Sequence, residues 1–155
     1  MTAGSPYRLL HLDLLPLLQE VFDQVAGEVG IDFDRFCNLV YRSMYGPYLR
    51  SREWDGLDRG KIEDAAWTVG RWAHSLVRIP QIRDPGIRLL RPYIEVETGA
   101  HHCEAVTRLC GRWIGPEELE RLPLPNCDYK RCLCTYRTLS RLDIEGLGPR
   151  PGAQS

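Results

Sequence analysis

Apolar residues recur at helical spacing over 14–29, where Leu14, Leu17, Leu18, Val21, Phe22, Val25 and Val29 share one face. Asp13 is placed to cap this helix, Pro16 is tolerable in its first turn, and Gly30 is placed to end it. A second stripe, Phe33, Phe36, Cys37, Val40 and Met44, predicts a helix over 33–45 with Asp32 as its cap and Gly46-Pro47 as its stop. Cys37 lies on that stripe, so it is expected to be a packing thiol.

Residues 48–60 are polar and contain glycine, which predicts a connector with a turn at Asp55-Gly56. A third helix is expected over 61–78, with Ala65, Val69, Trp72, Ala73 and Leu76 on one face and Trp67 off it. Pro80 and Asp84-Pro85-Gly86 are expected to end the helical region. Beyond it, Tyr93, Ile94 and Val96 suit a short or edge strand, because Pro92 cannot donate to a ladder. Thr98 can cap a fourth helix over 100–112, and Gly115-Pro116-Glu117-Glu118 opens a short fifth. Residues 122–126 must be extended, and 135–138 read as a strand after a thiol-bearing turn. The predicted fold is therefore mainly α. It is a small helical bundle over 1–86, with a cysteine-rich, metal-stapled module over 87–144 that carries a short β element, and a Gly/Pro-rich mobile tail over 145–155.

Composition changes this picture little. The chain has 155 residues, is 43% hydrophobic and carries a net charge of −1. That is unlike a nucleic-acid polycation or a disordered acidic chain. No stretch has the apolar length of a membrane span, and Asp13 and Pro16 interrupt the apolar start without the marks of a signal peptide. The expected location is the cytoplasm. All but Lys61 and Lys130 of the 20 basic residues are arginines, spread along the chain rather than clustered.

The cysteines are the informative feature. Cys103, Cys110, Cys127, Cys132 and Cys134 follow one another closely, and a reducing compartment makes disulfides the weaker explanation. Zinc takes four thiolate or imidazole ligands in a tetrahedron, and the short run Cys127 to Cys134 can fold three sulfurs toward one point. The fourth ligand must be remote: Cys103, Cys110, or a nitrogen of His101 or His102. On a continuous helix Cys103 and Cys110 would face one way but stand roughly 10 Å apart at 1.5 Å per residue, so a single ion cannot easily use both. An iron–sulfur cluster is the alternative cofactor, and the spacing also admits buried reduced thiols or a Cys-x-Cys redox pair.

The segment Cys103-Glu-Ala-Val to Gly111-Arg-Trp113, then Pro123-Leu-Pro-Asn-Cys127, Cys132-Leu-Cys134 and Tyr136, resembles the tail of small uncharacterised bacterial proteins. In those, a cysteine before alanine opens a helix and a Leu-Pro-Leu-Pro stretch leads into Cys-x4-Cys-x-Cys-x-Tyr. The resemblance covers about a quarter of the chain and implies Cys103, Cys127, Cys132 and Cys134 as the ligand set. Where those proteins continue with Asp-Arg-Arg, this chain has Arg141-Leu142-Asp143. The resemblance implies no activity.

Two basic features could meet nucleic acid. Tyr41 to Arg52 interleaves aromatics with arginines, and Lys130, Arg131, Arg137 and Arg141 surround the thiol motif with only Asp128 opposing. In both cases solvated side chains are the simpler reading. His74 is a lone helical histidine, and Glu95, Glu97 and Glu104 show no acid–base spacing. The expected function is a non-enzymatic interaction or adaptor protein that binds another protein and no membrane. A nucleic-acid-associated regulator and a thiol- or metal-dependent enzyme are the alternatives.

Overall fold

A computed structural model of the chain describes residues 8–9, 12–46, 51–99, 103–127 and 131–152. The protein is mainly helical and forms two compact units, Met1–Ala73 and His74–Ser155.

In the first unit, strands β1 (Arg8–Leu9) and β2 (Leu12–Asp13) pair antiparallel and lead into helices α1 (Leu15–Val29) and α2 (Phe33–Tyr45). The α1 cap is Leu14, which makes no side-chain cap bond, so Asp13 does not take the capping position expected of it. Gly30 closes α1 in the left-handed conformation, where a glycine is unstrained. Asp32 caps α2 as expected, its carboxylate accepting from the Arg35 N–H at 2.8 Å. The connector is not wholly irregular, since Ser51–Trp54 form a 3₁₀ turn and the Asp55-Gly56 turn follows. Helix α3 (Arg59–Arg83) begins where Asp58 accepts from the Lys61 N–H. The core here joins Leu17, Leu18 and Val21 of α1, Phe36, Cys37 and Val40 of α2, and Ile62, Val69 and Trp72 of α3.

Pro80 does not end α3, contrary to expectation. Proline removes one hydrogen bond, to the carbonyl four residues back. Burial of Ile79 and Ile82 on either side of it, in the core of the second unit, holds the last turn in helical form. Asp84 then caps a further short helix, α4 (Pro85–Leu90), accepting from the N–H groups of Gly86 and Ile87. Strand β3 (Tyr93–Glu97) pairs antiparallel with β4 (Thr135–Leu139), with Glu95 opposite Arg137 and Val96 opposite Tyr136. Around this ladder the second core collects Ile94, Val106, Leu109, Ile114, Leu119, Leu122, Leu124 and Tyr136 with three buried cysteines. Among the described residues, no helix is long and apolar enough to cross a membrane.

Cys37 is buried among apolar neighbours of the first unit, far in sequence from the other thiols. Burial, with the Asp34 charge second, pushes this thiol from the ordinary 9.0 up to about 12. The folded chain thus holds the proton more tightly than the unfolded chain. That contribution to stability is whole below the ordinary 9.0 and is lost as pH rises toward 12. Cys37→Ala is expected to cost about 1–2 kcal/mol at neutral pH, to flatten the alkaline loss of stability, and to leave metal content unchanged. Denaturant unfolding at several pH values, with elemental analysis, checks all three. Loss of metal without unfolding would show that Cys37 does more than pack.

Candidate metal centre

The segment expected to be a helix over 100–112 is instead a 3₁₀ turn over Glu104–Leu109, and 100–102 lie outside the described residues. The change has a physical logic. A 3₁₀ turn repeats every three residues, which brings Cys103, Val106 and Leu109 onto one side. All three are buried. An α-helix would instead have put Cys103 and Cys110 on one face, about two turns apart. Cys103 enters the turn with extended backbone, and its carbonyl accepts from the Val106 N–H at 3.3 Å. Cys110 leaves that side, is half-buried, and places its Sγ 3.4 Å from the Val106 carbonyl oxygen.

Cys127 follows Leu122-Pro123-Leu124-Pro125, in which the Leu122-Pro123 peptide is cis. Leu122 and Leu124 are buried, and the Cys127 N–H donates to the Leu124 carbonyl at 2.9 Å, which closes a turn at the first thiol. Arg131 has φ 56, the left-handed conformation in which the chain bends into Cys132. From there the backbone alternates. Cys132 and Cys134 are buried while Leu133 between them is about half exposed, the two-residue period of a strand.

The sulfurs of Cys103, Cys127 and Cys132 lie within 4.8 Å of one another. In a tetrahedral site with zinc–sulfur bonds of about 2.3 Å, sulfurs stand about 3.8 Å apart, so this group could hold a metal ion after a small contraction. Cys134 adjoins it. Burial first, then a hydrogen bond shared with Cys132, then the charges of Cys132, Cys103 and Cys127 push its thiol up to about 12. A divalent cation would reverse that repulsion, because thiolates are the form that binds metal. An activated nucleophile needs the opposite shift. Burial also raises Cys110, which lies outside the close group. All six cysteines are unpaired by disulfides. The other proposed ligands, His101 and His102, lie outside the described residues.

The motif tyrosine has a role that spacing did not reveal. Tyr136 is buried in β4, and its hydroxyl accepts from the Glu120 N–H at 2.9 Å and donates to the Glu120 carbonyl at 2.7 Å. From α3, the Ser75 hydroxyl accepts from the Leu122 N–H at 2.9 Å. These bonds fix the start of the stretch that delivers Cys127.

The basic residues are more occupied than the sequence suggested. Arg137 donates from Nε to the buried Glu95 carboxylate at 2.8 Å, so the thiol loop is opposed by β3 and not by Asp128 alone. Arg141 is exposed, and Asp128 and Lys130 lie outside the described residues. In the aromatic stretch, Arg42 pairs with Glu53 and the Tyr41 and Tyr45 rings pack 5.3 Å apart, while 47–50 are not described. His74 and Glu104 are exposed and stand in no catalytic grouping among the described residues. Comparison with protein-family models, curated proteins and solved structures finds no match.

Proposed function

We propose that the chain is a non-enzymatic adaptor protein of the cytoplasm, whose second unit is organised by one structural zinc ion on Cys103, Cys127, Cys132 and Cys134. One observation carries this reading: three sulfurs, from the Cys103 turn and the Cys127 to Cys132 run, meet within 4.8 Å at the second core. Four thiolates would fill the coordination of zinc and leave no open position for substrate, which is the structural rather than the catalytic pattern. The likeness of the motif to the tails of small bacterial proteins agrees with it. A protein partner is favoured over nucleic acid because the Arg137 guanidinium is already engaged by Glu95, while Leu89, Leu90 and Leu142 stand largely exposed.

Thiol labelling of the native protein tests the reading. Labelling should be slow at the four ligands and become fast once a chelator has removed zinc, with hydrogen exchange rising in 103–139 and not in 15–45. Labelling and exchange that ignore the chelator would contradict it.

A further inference from the structure

The end of the described chain lies in a site made by two other segments. Arg150 Nη1 donates to Oε2 of Glu95, while Arg137 serves Oε1 of the same carboxylate. Glu95 is 6% exposed. The Arg150 guanidinium also lies over the Trp113 ring, 4.8 Å from its centroid. The Trp113 N–H donates to the Pro151 carbonyl at 2.8 Å, and Trp113 bridges to Gly152 in parallel. On its other side this segment joins β3, the Ile114 N–H donating to the Ile94 carbonyl at 2.8 Å.

We propose that residues 149–152 are an exchangeable strap, and that the site beneath them takes an Arg-x-Gly segment of a partner protein in their place. The requirement for arginine comes from the buried carboxylate and the flat indole beside it, which a planar guanidinium satisfies together. The requirement for glycine is steric. A Cβ at Gly152 would lie 2.1 Å from the Trp113 carbonyl oxygen, and φ there is +112°. The strap is exchangeable because it is held by polar contacts and stacking alone. None of its side chains belongs to the apolar core; Pro149, Pro151 and Gly152 are exposed, and Arg150 alone is partly covered. Simple opening is costly, since it would strip one partner from a buried carboxylate. Replacement by a second arginine restores that partner in the exchanged state. The site does not involve the metal; the inference rests on the adaptor reading only for its use, to which it gives a partner chemistry.

The test uses the full chain and a fluorescein-labelled peptide of sequence Gly-Leu-Gly-Pro-Arg-Pro-Gly-Ala. A tethered strap competes at roughly millimolar effective concentration, so wild type should bind this peptide poorly. The double variant Arg150→Ala/Gly152→Ala should bind it at least about tenfold more tightly by anisotropy. Binding should fall at least about tenfold when the peptide arginine becomes lysine or its last glycine becomes alanine, and when Glu95→Gln is added to the double variant. Zinc content and circular dichroism are recorded for every variant, so failure of the metal reading is seen separately. Equal binding by wild type and the double variant, or indifference to the peptide changes, would overturn the proposal. So would loss of fold in both the double variant and Gly152→Ala alone, because the strap would then be integral to the second unit.

Discussion

Cys103→Ser and Cys132→Ser should each lose the metal and loosen residues 74–155, while Cys110→Ser should do neither. Cys103 and Cys132 are buried members of the close sulfur group, and Cys110 is not. Loss of a supporting partner behind a ligand weakens metal binding about 10–100-fold, so loss of a ligand itself should exceed ~100-fold. Because a structural zinc contributes its binding energy to folding, the same variants should unfold at lower denaturant. Cys110→Ser removes one sulfur contact to the Val106 carbonyl, a change of about 1 kcal/mol. Paired metal analysis with native hydrogen exchange measures the difference. Retention in Cys103→Ser with loss in Cys110→Ser would reverse the assignment. Retention in every variant would point to His101 or His102, and absence of metal from wild type and variants alike would point to buried thiols.

The first unit should fail in a different way. Phe36 is fully buried in α2, with the Phe22 ring 5.1 Å away, and the Phe33 ring lies 5.4 Å from Phe22. Phe36→Ala removes a ring from a closed cluster, and such cavities cost about 3–5 kcal/mol. The expected result is a denaturation midpoint far below wild type, with metal content unchanged in protein kept below its transition. Loss of metal from the folded variant would contradict a site confined to the second unit.

Helices α1 and α2 were legible because each has a continuous apolar stripe and a glycine stop, and α2 has a carboxylate cap. The end of α3 was not, because Pro80 is a local signal and the burial of Ile79 and Ile82 that overrides it is a tertiary one. Asp84-Pro85 marked the start of α4 as much as the end of α3, and only the first of those readings gives its six residues. The segment after Thr98 misled more. Its apolar residues suit a period of 3.6 or of 3, and the choice decides whether Cys103 faces with Cys110 or with Val106 and Leu109. The expected helix argued only that one ion would not use both Cys103 and Cys110, and that helix does not form; the motif resemblance pointed to Cys103, which is the one beside Cys127 and Cys132. Glu95 offered no clue that two arginines, 42 and 55 residues away in sequence, converge on it. Long-range pairing of this kind leaves no periodicity to read.

Elemental analysis of anaerobically purified protein, with its absorption spectrum, tests the central claim most directly. Four thiolates on one ion predict about one zinc per chain and no visible absorption. Bound iron with visible absorption would replace zinc by a cluster. Metal-free protein, equally folded and stable with or without a chelator, would contradict the account and leave Cys103, Cys127, Cys132 and Cys134 as core thiols.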